Sequence, residues 1–144
     1  MTAVTQEITV LVADDHAVVR AGIRHILESM PGVAVVAEAT DGPSALRLAR
    51  EQRPDVIILD VSMPGLSGYE VCRKIRQGEK TRDLPVIFLT AKGMLVDMTE
   101  GEEAGSDLYL VKPVLATKLL NMVGMFLSDD TPLAKKRRTA PTQG

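Results

Sequence analysis

The sequence predicts a doubly wound α/β domain, one parallel sheet of five strands alternating with five helices. Three observations predict it. Five short runs are apolar at nearly every position rather than at alternate ones, the pattern of strands buried on both faces of a parallel sheet. Apolar stripes at helical spacing lie between those runs. The strand runs end on polar residues that carry chemistry: Asp, Thr and Lys. Strands alternating with helices make βαβ units, whose crossovers lay helices on both faces of a single sheet.

The first strand is Ile8-Thr9-Val10-Leu11-Val12-Ala13, almost entirely β-branched and aliphatic, and it ends at Asp14-Asp15. Val18, Val19, Ile23, Ile26 and Leu27 give the first helix its stripe. Val33–Ala37 follows the turn Pro31-Gly32 as the second strand. Asp41-Gly42-Pro43 opens the second helix, whose stripe is Ala45, Leu46, Leu48 and Ala49 and whose stop is Pro54. Val56–Leu59 ends at Asp60. Val71 and Ile75 pair one turn apart in the third helix, and Pro85–Leu89 ends at Thr90. The weakest element is a fourth helix over 93–104. There Glu102 interrupts the stripe begun by Leu95 and Met98, and Gly93 and Gly101 lower the propensity. Leu108–Val111 ends at Lys112-Pro113, and Leu115, Leu119, Met122, Val123 and Phe126 line the last helix.

Composition agrees and narrows the class. A length of 144 residues suits one domain, and 45% hydrophobic residues exclude wholesale disorder. The net charge of −2 averages two unlike parts. The first 130 residues hold 13 basic and 19 acidic side chains, a net −6, while residues 131–144 hold Lys135, Lys136, Arg137 and Arg138 and no acid. The expected organisation is an extension over 1–6, a domain over 7–128, and a disordered basic tail or linker stump over 129–144. The single cysteine, Cys72, excludes an internal disulfide and a thiolate zinc cluster and suits a reducing compartment. The amino end carries no basic segment leading into an apolar one. No uncharged stretch reaches the roughly 18–20 residues of a membrane span. A cytoplasmic protein with no membrane contact is expected.

In open α/β sheets the functional crevice lies beyond the carboxyl ends of the strands, where strand order reverses. If the strands are neighbours, Asp14, Asp15, Asp60, Thr90 and Lys112 converge there. Two carboxylates about 4 Å apart repel by about 4 kcal/mol at an effective dielectric near 20, so three do not stay ionised together without a cation. Lys112 supplies one charge. Mg²⁺ fits the remainder, because it takes one or two carboxylates, keeps waters and favours phosphate oxygens. Such a pocket suits phosphoryl transfer, and one carboxylate can itself be the nucleophile, forming an acyl phosphate. His16, beside the aspartates, reads as a helix-start residue, with a metal ligand as the alternative.

Four motifs carry a family resemblance. Asp14-Asp15 resembles the acidic pair of two-component response-regulator receiver domains. The segment Leu59-Asp60-Val61-Ser62-Met63-Pro64-Gly65-Leu66-Ser67-Gly68 is similar to their phosphoacceptor loop. Leu89-Thr90-Ala91-Lys92 and Ala104–Pro113 complete the set, in order and in register over residues 7–128.

The resemblance implies a flavodoxin-like strand order 2-1-3-4-5. Asp60 would be the phosphoacceptor. Asp15, Asp60 and the Ser62 backbone carbonyl would bind Mg²⁺ directly, with Asp14 acting through water. Thr90 and Lys112 would contact the phosphoryl group, and Tyr109 would be the aromatic switch coupled to Thr90. The Lys112-Pro113 bond would be cis, and Ser62 and Lys92 would tune phosphoryl lifetime. The implied donor is a sensor histidine kinase or a histidine phosphotransfer protein. The implied output is a downstream protein, bound at the face of the fourth helix, fifth strand and fifth helix by a monomer or weak dimer.

The sequence departs from the family at Leu108, where the fifth strand usually opens on small or acidic residues, and at Glu102. Both fall on that partner face, where Met94, Leu95 and Leu108 are expected to add exposed apolar surface. Asp15–Arg24 resembles receivers with a carboxyl-terminal helix-turn-helix, whereas Gly68–Ile75 is closer to stand-alone or cyclase-linked receivers. No DNA-binding module fits after residue 128, so specific DNA binding is not expected. The chain is either a single-domain regulator or a fragment of a larger one. Two other functions make different demands on the sequence. An aspartyl phosphohydrolase needs a second aspartate two residues after the first as general acid, and that position is Ser62. It also needs a substrate-binding insertion. A receiver fold used as a phosphorylation-independent interaction module would not need the full set of pocket residues. The expectation is therefore a phosphoacceptor switch, not an enzyme beyond slow self-dephosphorylation.

Overall fold

In the computed structural model the described residues are 7–90, 105 and 108–125. They form strand β1 (Ile8–Ala13), helix α1 (Ala17–Glu28), β2 (Val33–Ala39), α2 (Gly42–Gln52) and β3 (Val56–Asp60). Then come α3 (Gly68–Gln77), β4 (Val86–Thr90), β5 (Leu108–Val111) and α4 (Ala116–Gly124), the helix the sequence places fifth. All pairings are parallel and the strand order is β2-β1-β3-β4-β5, so the order reverses between β1 and β3. The helix expected over 93–104, Lys92, Met94, Leu95, Phe126, the extension over 1–6 and the tail over 129–144 lie outside the described residues.

Two cores, one on each face of the sheet, follow from the alternation of side chains along the strands. Leu11, Ile57, Leu59 and Phe88 point to the face covered by α2 and α3, meeting Ala45, Leu46, Ala49, Val71, Cys72 and Ile75. Val10, Val12, Ile58, Ile87 and Leu89 point to the other, against Ile23, Leu27, Leu119 and Val123 of α1 and α4. Burying an aliphatic side chain stabilises by about 1.5–3 kcal/mol, so these layers hold the strand ends in register.

The outer strands depart from the expectation of burial on both faces. β2 extends two residues further, through Glu38 and Ala39. Its pairing with β1 skips Val36, which bulges and is 39% exposed. Val111 on the opposite edge is 45% exposed. An outer strand has a neighbour on one side only, so its open edge is less enclosed. An apolar run alone does not distinguish the two positions.

Helix starts aim the loops around the crevice. Asp41 caps α2, its carboxylate accepting from the Ser44 amide at 2.7 Å. That interaction and the neighbouring Ser44 hydroxyl hold its pKa below the usual carboxylate range. Ser67 and Glu70 form a reciprocal capping box at α3: Ser67 Oγ accepts from the Glu70 amide at 3.2 Å, and Glu70 Oε1 accepts from the Ser67 amide at 2.9 Å. Gly68 then packs directly on the β3 terminus. A Cβ there would run into the Asp60 carbonyl oxygen and lie 2.8 Å from Val61 Cα.

Candidate functional site

The polar residues at the strand ends meet at the reversal point. Asp14 follows β1 with its side chain fully enclosed, and its amide donates to the Ala39 carbonyl at 3.0 Å. Asp60 and Thr90 are the buried last residues of β3 and β4. Lys112 follows β5, and its amide donates to the Thr90 carbonyl at 2.8 Å, extending the ladder into the pocket. Its Nζ lies 2.8 Å from Asp14 Oδ2 and 3.4 Å from Asp60 Oδ2. The Lys112–Pro113 peptide bond is cis.

The loop after Asp60 is pinned at three points. The Val61 amide donates to Leu89 O at 3.1 Å, the Gly68 amide to Val61 O at 3.0 Å and the Gly42 amide to Pro64 O at 3.0 Å. The Ser62 amide donates back to Asp60 Oδ1 at 3.2 Å, and the Ser62 side chain is exposed.

His16 caps α1 by position. Its amide donates to Asp14 Oδ1 at 2.8 Å, and its exposed ring places Nδ1 3.1 Å from Asp14 Oδ1 and 3.2 Å from Asp15 Oδ1. One ligand atom each from Asp14, Asp15, His16 and Asp60 lies within 4.8 Å of the others.

This crowding shifts protonation. Burial pushes the Asp60 carboxyl above its ordinary value, and the Asp14 charge adds to that push. The Ser62 amide and Lys112 oppose it. For Lys112 burial pulls the pKa down, but the close contact with Asp14 and the charge of Asp60 more than reverse it, leaving the ammonium above its ordinary value.

The donor set fits a hard divalent cation. Asp14 Oδ2 and Asp60 Oδ2 are enclosed, and neither accepts a well-directed hydrogen bond among the described residues. Among the described residues their neighbouring lysine or arginine is Lys112, one charge against three carboxylates. Both Asp14 oxygens already face protein donors, His16 on one side and Lys112 on the other. The Asp15 side chain is 32% exposed and faces the crevice mouth. That contrast suits direct coordination by Asp15 and Asp60, with Asp14 acting through water.

Tyr109 is half-buried, its ring 5.9 Å from Phe88, which in turn meets Tyr69 edge-on at 5.2 Å. Phe88 is two residues before Thr90 on β4, so the aromatic row begins one pleat below the pocket. Leu108 is only partly exposed and packs on the α1/α4 core. Among the described residues the exposed large apolar side chains include Val18 on α1, Val111 at the end of β5 and Leu115.

One polar pair escaped the sequence reading. Arg20 of α1 donates from Nη1 to the Asp14 backbone carbonyl at 2.8 Å and from Nε to Glu38 Oε1 of β2 at 3.1 Å. The signal available was weak: Arg20 stands four residues after His16, where its amide closes the first turn of α1 on the His16 carbonyl.

Fold and crevice define a class: an open, doubly wound α/β domain with an acidic pocket at its switch point. Comparison with known proteins gives the family. Residues 10–124 match the response regulator receiver domain, and the chain belongs to that family. It is 39% identical over 137 residues to the response regulator MprA of Mycobacterium sp. (strain KMS), covering 95% of this chain and 54% of MprA. It is 53% identical over 79 residues to the transcriptional regulatory protein AfsQ1 of Streptomyces coelicolor, covering 55% of this chain and 34% of AfsQ1. The chain thus spans about half or less of the length of these relatives. Among solved structures it resembles the receiver domain of the sensor histidine kinase PA1611 of Pseudomonas aeruginosa, with a TM-score of 0.73 and 34% identity over 81% of this chain and 94% of that one. It also resembles the response regulator domain of Thermotoga maritima CheB, with a TM-score of 0.71 and 28% identity over 94% and 100%. The PA1611 domain was solved with a magnesium ion coordinated in its active-site cleft.

Proposed function

We propose that this domain, over residues 7–128, is a phosphoacceptor switch of a two-component pathway acting in the cytoplasm, with Asp60 as the acceptor. The observation that carries the reading is the convergence of enclosed Asp60 and Asp14 on Lys112 at the β1/β3 reversal, with Asp15 at the mouth. The donor is a phosphohistidine of a sensor kinase or a histidine phosphotransfer protein. A carboxylate oxygen of Asp60 bonds to phosphorus as the phosphorus–nitrogen bond breaks. The imidazole keeps that electron pair and takes a proton from water, and Asp60 carries an acyl phosphate.

Asp15, Asp60 and the Ser62 carbonyl would hold Mg²⁺, with Asp14 acting through water, and the bound ion would supply charge neutralisation at the phosphoryl oxygens. Lys112, already 3.4 Å from Asp60, moves from pairing with carboxylates to pairing with the phosphoryl group. The Thr90 hydroxyl, at the adjacent strand end, binds another phosphoryl oxygen, and the space it vacates draws Tyr109 inward along the Phe88 row. Ser62 and Lys92 tune how fast water attacks the adduct. The output is a downstream protein contact on the face that includes β5 and α4.

The test is intact-mass measurement after Mg²⁺ and a small phosphodonor. A single acid-labile phosphoryl adduct that needs Mg²⁺ and disappears in Asp60→Asn is expected. No adduct, or one that survives Asp60→Asn, overturns the proposal.

A further inference from the structure

A polar chain leads out of the pocket along α1. Arg20 reaches back over the β1–α1 loop, donating to the Asp14 carbonyl at 2.8 Å while Glu38 Oε1 holds its Nε at 3.1 Å. Glu38 stands beside Val12 in the β1/β2 register, one residue before the Ala39 carbonyl that takes the Asp14 amide. Glu38 Oε2 also takes Arg24 Nη1 at 2.9 Å, and Arg24 closes on Glu28 at 3.2 Å. The two arginines differ in setting: the Arg20 side chain is 16% exposed and Arg24 50%. A half-exposed helix pair such as Arg24–Glu28 contributes little. Arg20 instead places a sheltered, planar, bidentate donor between a backbone carbonyl and a strand carboxylate.

The carbonyl that Arg20 holds belongs to the peptide joining Asp14 to Asp15. Holding its oxygen fixes the plane from which both acidic side chains leave. Carboxylates this close repel, and a loop free to rotate would turn Asp15 outward. Cation affinity depends on ligands being held where the ion needs them, and residues that orient ligands without touching the ion commonly control it.

We propose that Arg20, locked by Glu38, is a positioning residue of the acidic pocket and sets its affinity for Mg²⁺. This rests on the pocket being the Mg²⁺ site proposed above.

The experiment is calorimetric titration of the full chain with Mg²⁺, supported by Mn²⁺-induced broadening of backbone NMR signals in the β1–α1 loop, with thermal midpoints measured without metal. Arg20→Ala is expected to weaken Mg²⁺ binding roughly tenfold, at the low end of what losing an orienting partner costs. Glu38→Gln should weaken it less, and Arg20→Lys should restore part of it. Arg24→Ala breaks both Arg24 pairs but leaves Asp14 held, and should stay within about twofold of wild type, below the effect of an orienting partner. A purely structural ion pair would lower the thermal midpoint of Arg20→Ala and leave its Mg²⁺ affinity unchanged; that result overturns the proposal. If Arg20→Ala does not fold, equal Mg²⁺ affinity of wild type and Glu38→Gln overturns it, and weaker binding by Glu38→Gln supports it. Failure of the wild type to bind Mg²⁺ overturns the underlying site reading as well, so the two failures are separable.

Discussion

Replacing Asp60 by Asn should stabilise the metal-free domain while abolishing phosphorylation. At an effective dielectric near 20, Lys112 at 3.4 Å attracts the Asp60 carboxylate by about 5 kcal/mol. One carboxylate within 4.8 Å repels it by about 3.5 kcal/mol, and Asp14 and Asp15 both qualify, the second discounted for its exposure. The pair interactions thus nearly cancel. Desolvation decides, costing an ion several kcal/mol in a fully dry site and less in this crevice. That is the physical origin of the raised Asp60 pKa. Removing the charge while keeping the shape should gain about 1–2 kcal/mol, or about 3–8 °C in Tm for a domain of this size.

The pH dependence carries the sign. Asp60 titrates higher in the folded state than in the unfolded chain, so its ionisation opposes folding. The penalty is absent below the unfolded pKa of about 3.9, grows as pH rises through the folded pKa, and is constant above it. The advantage of Asp60→Asn should therefore be full at pH 7.5 in EDTA and vanish toward pH 4. Mg²⁺ should raise the wild-type Tm and leave the variant nearly unmoved. Calorimetric scans at three pH values, with and without Mg²⁺, measure all of this. A variant no more stable than wild type at pH 7.5, or an advantage undiminished at pH 4, would refute the reasoning.

Other substitutions probe the frame around the pocket. Ser67→Ala removes half of the α3 capping box and should cost about 1 kcal/mol by denaturant titration, with Asp60 still phosphorylated. Gly68→Ala puts a methyl group into the Asp60 carbonyl and Val61, costing about 1–3 kcal/mol, and should slow phosphorylation by displacing the acceptor itself, read by intact mass against time. Phe88→Ala, at a fully buried ring between Tyr69 and Tyr109, should cost about 3–5 kcal/mol, with Phe88→Leu as the folded variant in which the NMR signals of Tyr109 shift.

The parallel strands and the pocket residues were legible because each unbroken apolar run stops at a polar residue, and that punctuation survives without any knowledge of neighbours. Position within the sheet was not. Val33–Ala37 and Val56–Leu59 are both unbroken apolar runs, yet one is a bulged edge and the other fully buried, because only the crossovers decide which strand gains two neighbours. The capping box was present as Ser67-Gly68-Tyr69-Glu70 but straddled the end of the larger motif Leu59–Gly68. Arg20 and Glu38 were invisible for another reason. A charged residue on an amphipathic helix looks solvated until the edge strand beside it is known, and their link spans 18 positions.

Why Asp60 rather than Asp14 should take the phosphoryl group follows from the same geometry. Both are enclosed at the end of a central strand, and burial alone does not separate them. Their hydrogen bonds do. Asp14 Oδ1 accepts from the His16 amide at 2.8 Å, and Asp14 Oδ2 lies 2.8 Å from the Lys112 ammonium, so both oxygens have a donor close by. Asp60 has longer contacts, 3.2 Å to the Ser62 amide and 3.4 Å to Lys112. Burial raises the Asp60 pKa, and basicity is what a nucleophile brings to phosphorus. The tightly held aspartate is suited to anchoring water and lysine, and the loosely held one to forming a bond. Asp14 and Asp60 are thus suited to unlike roles by differences of about half an ångström in where their donors sit.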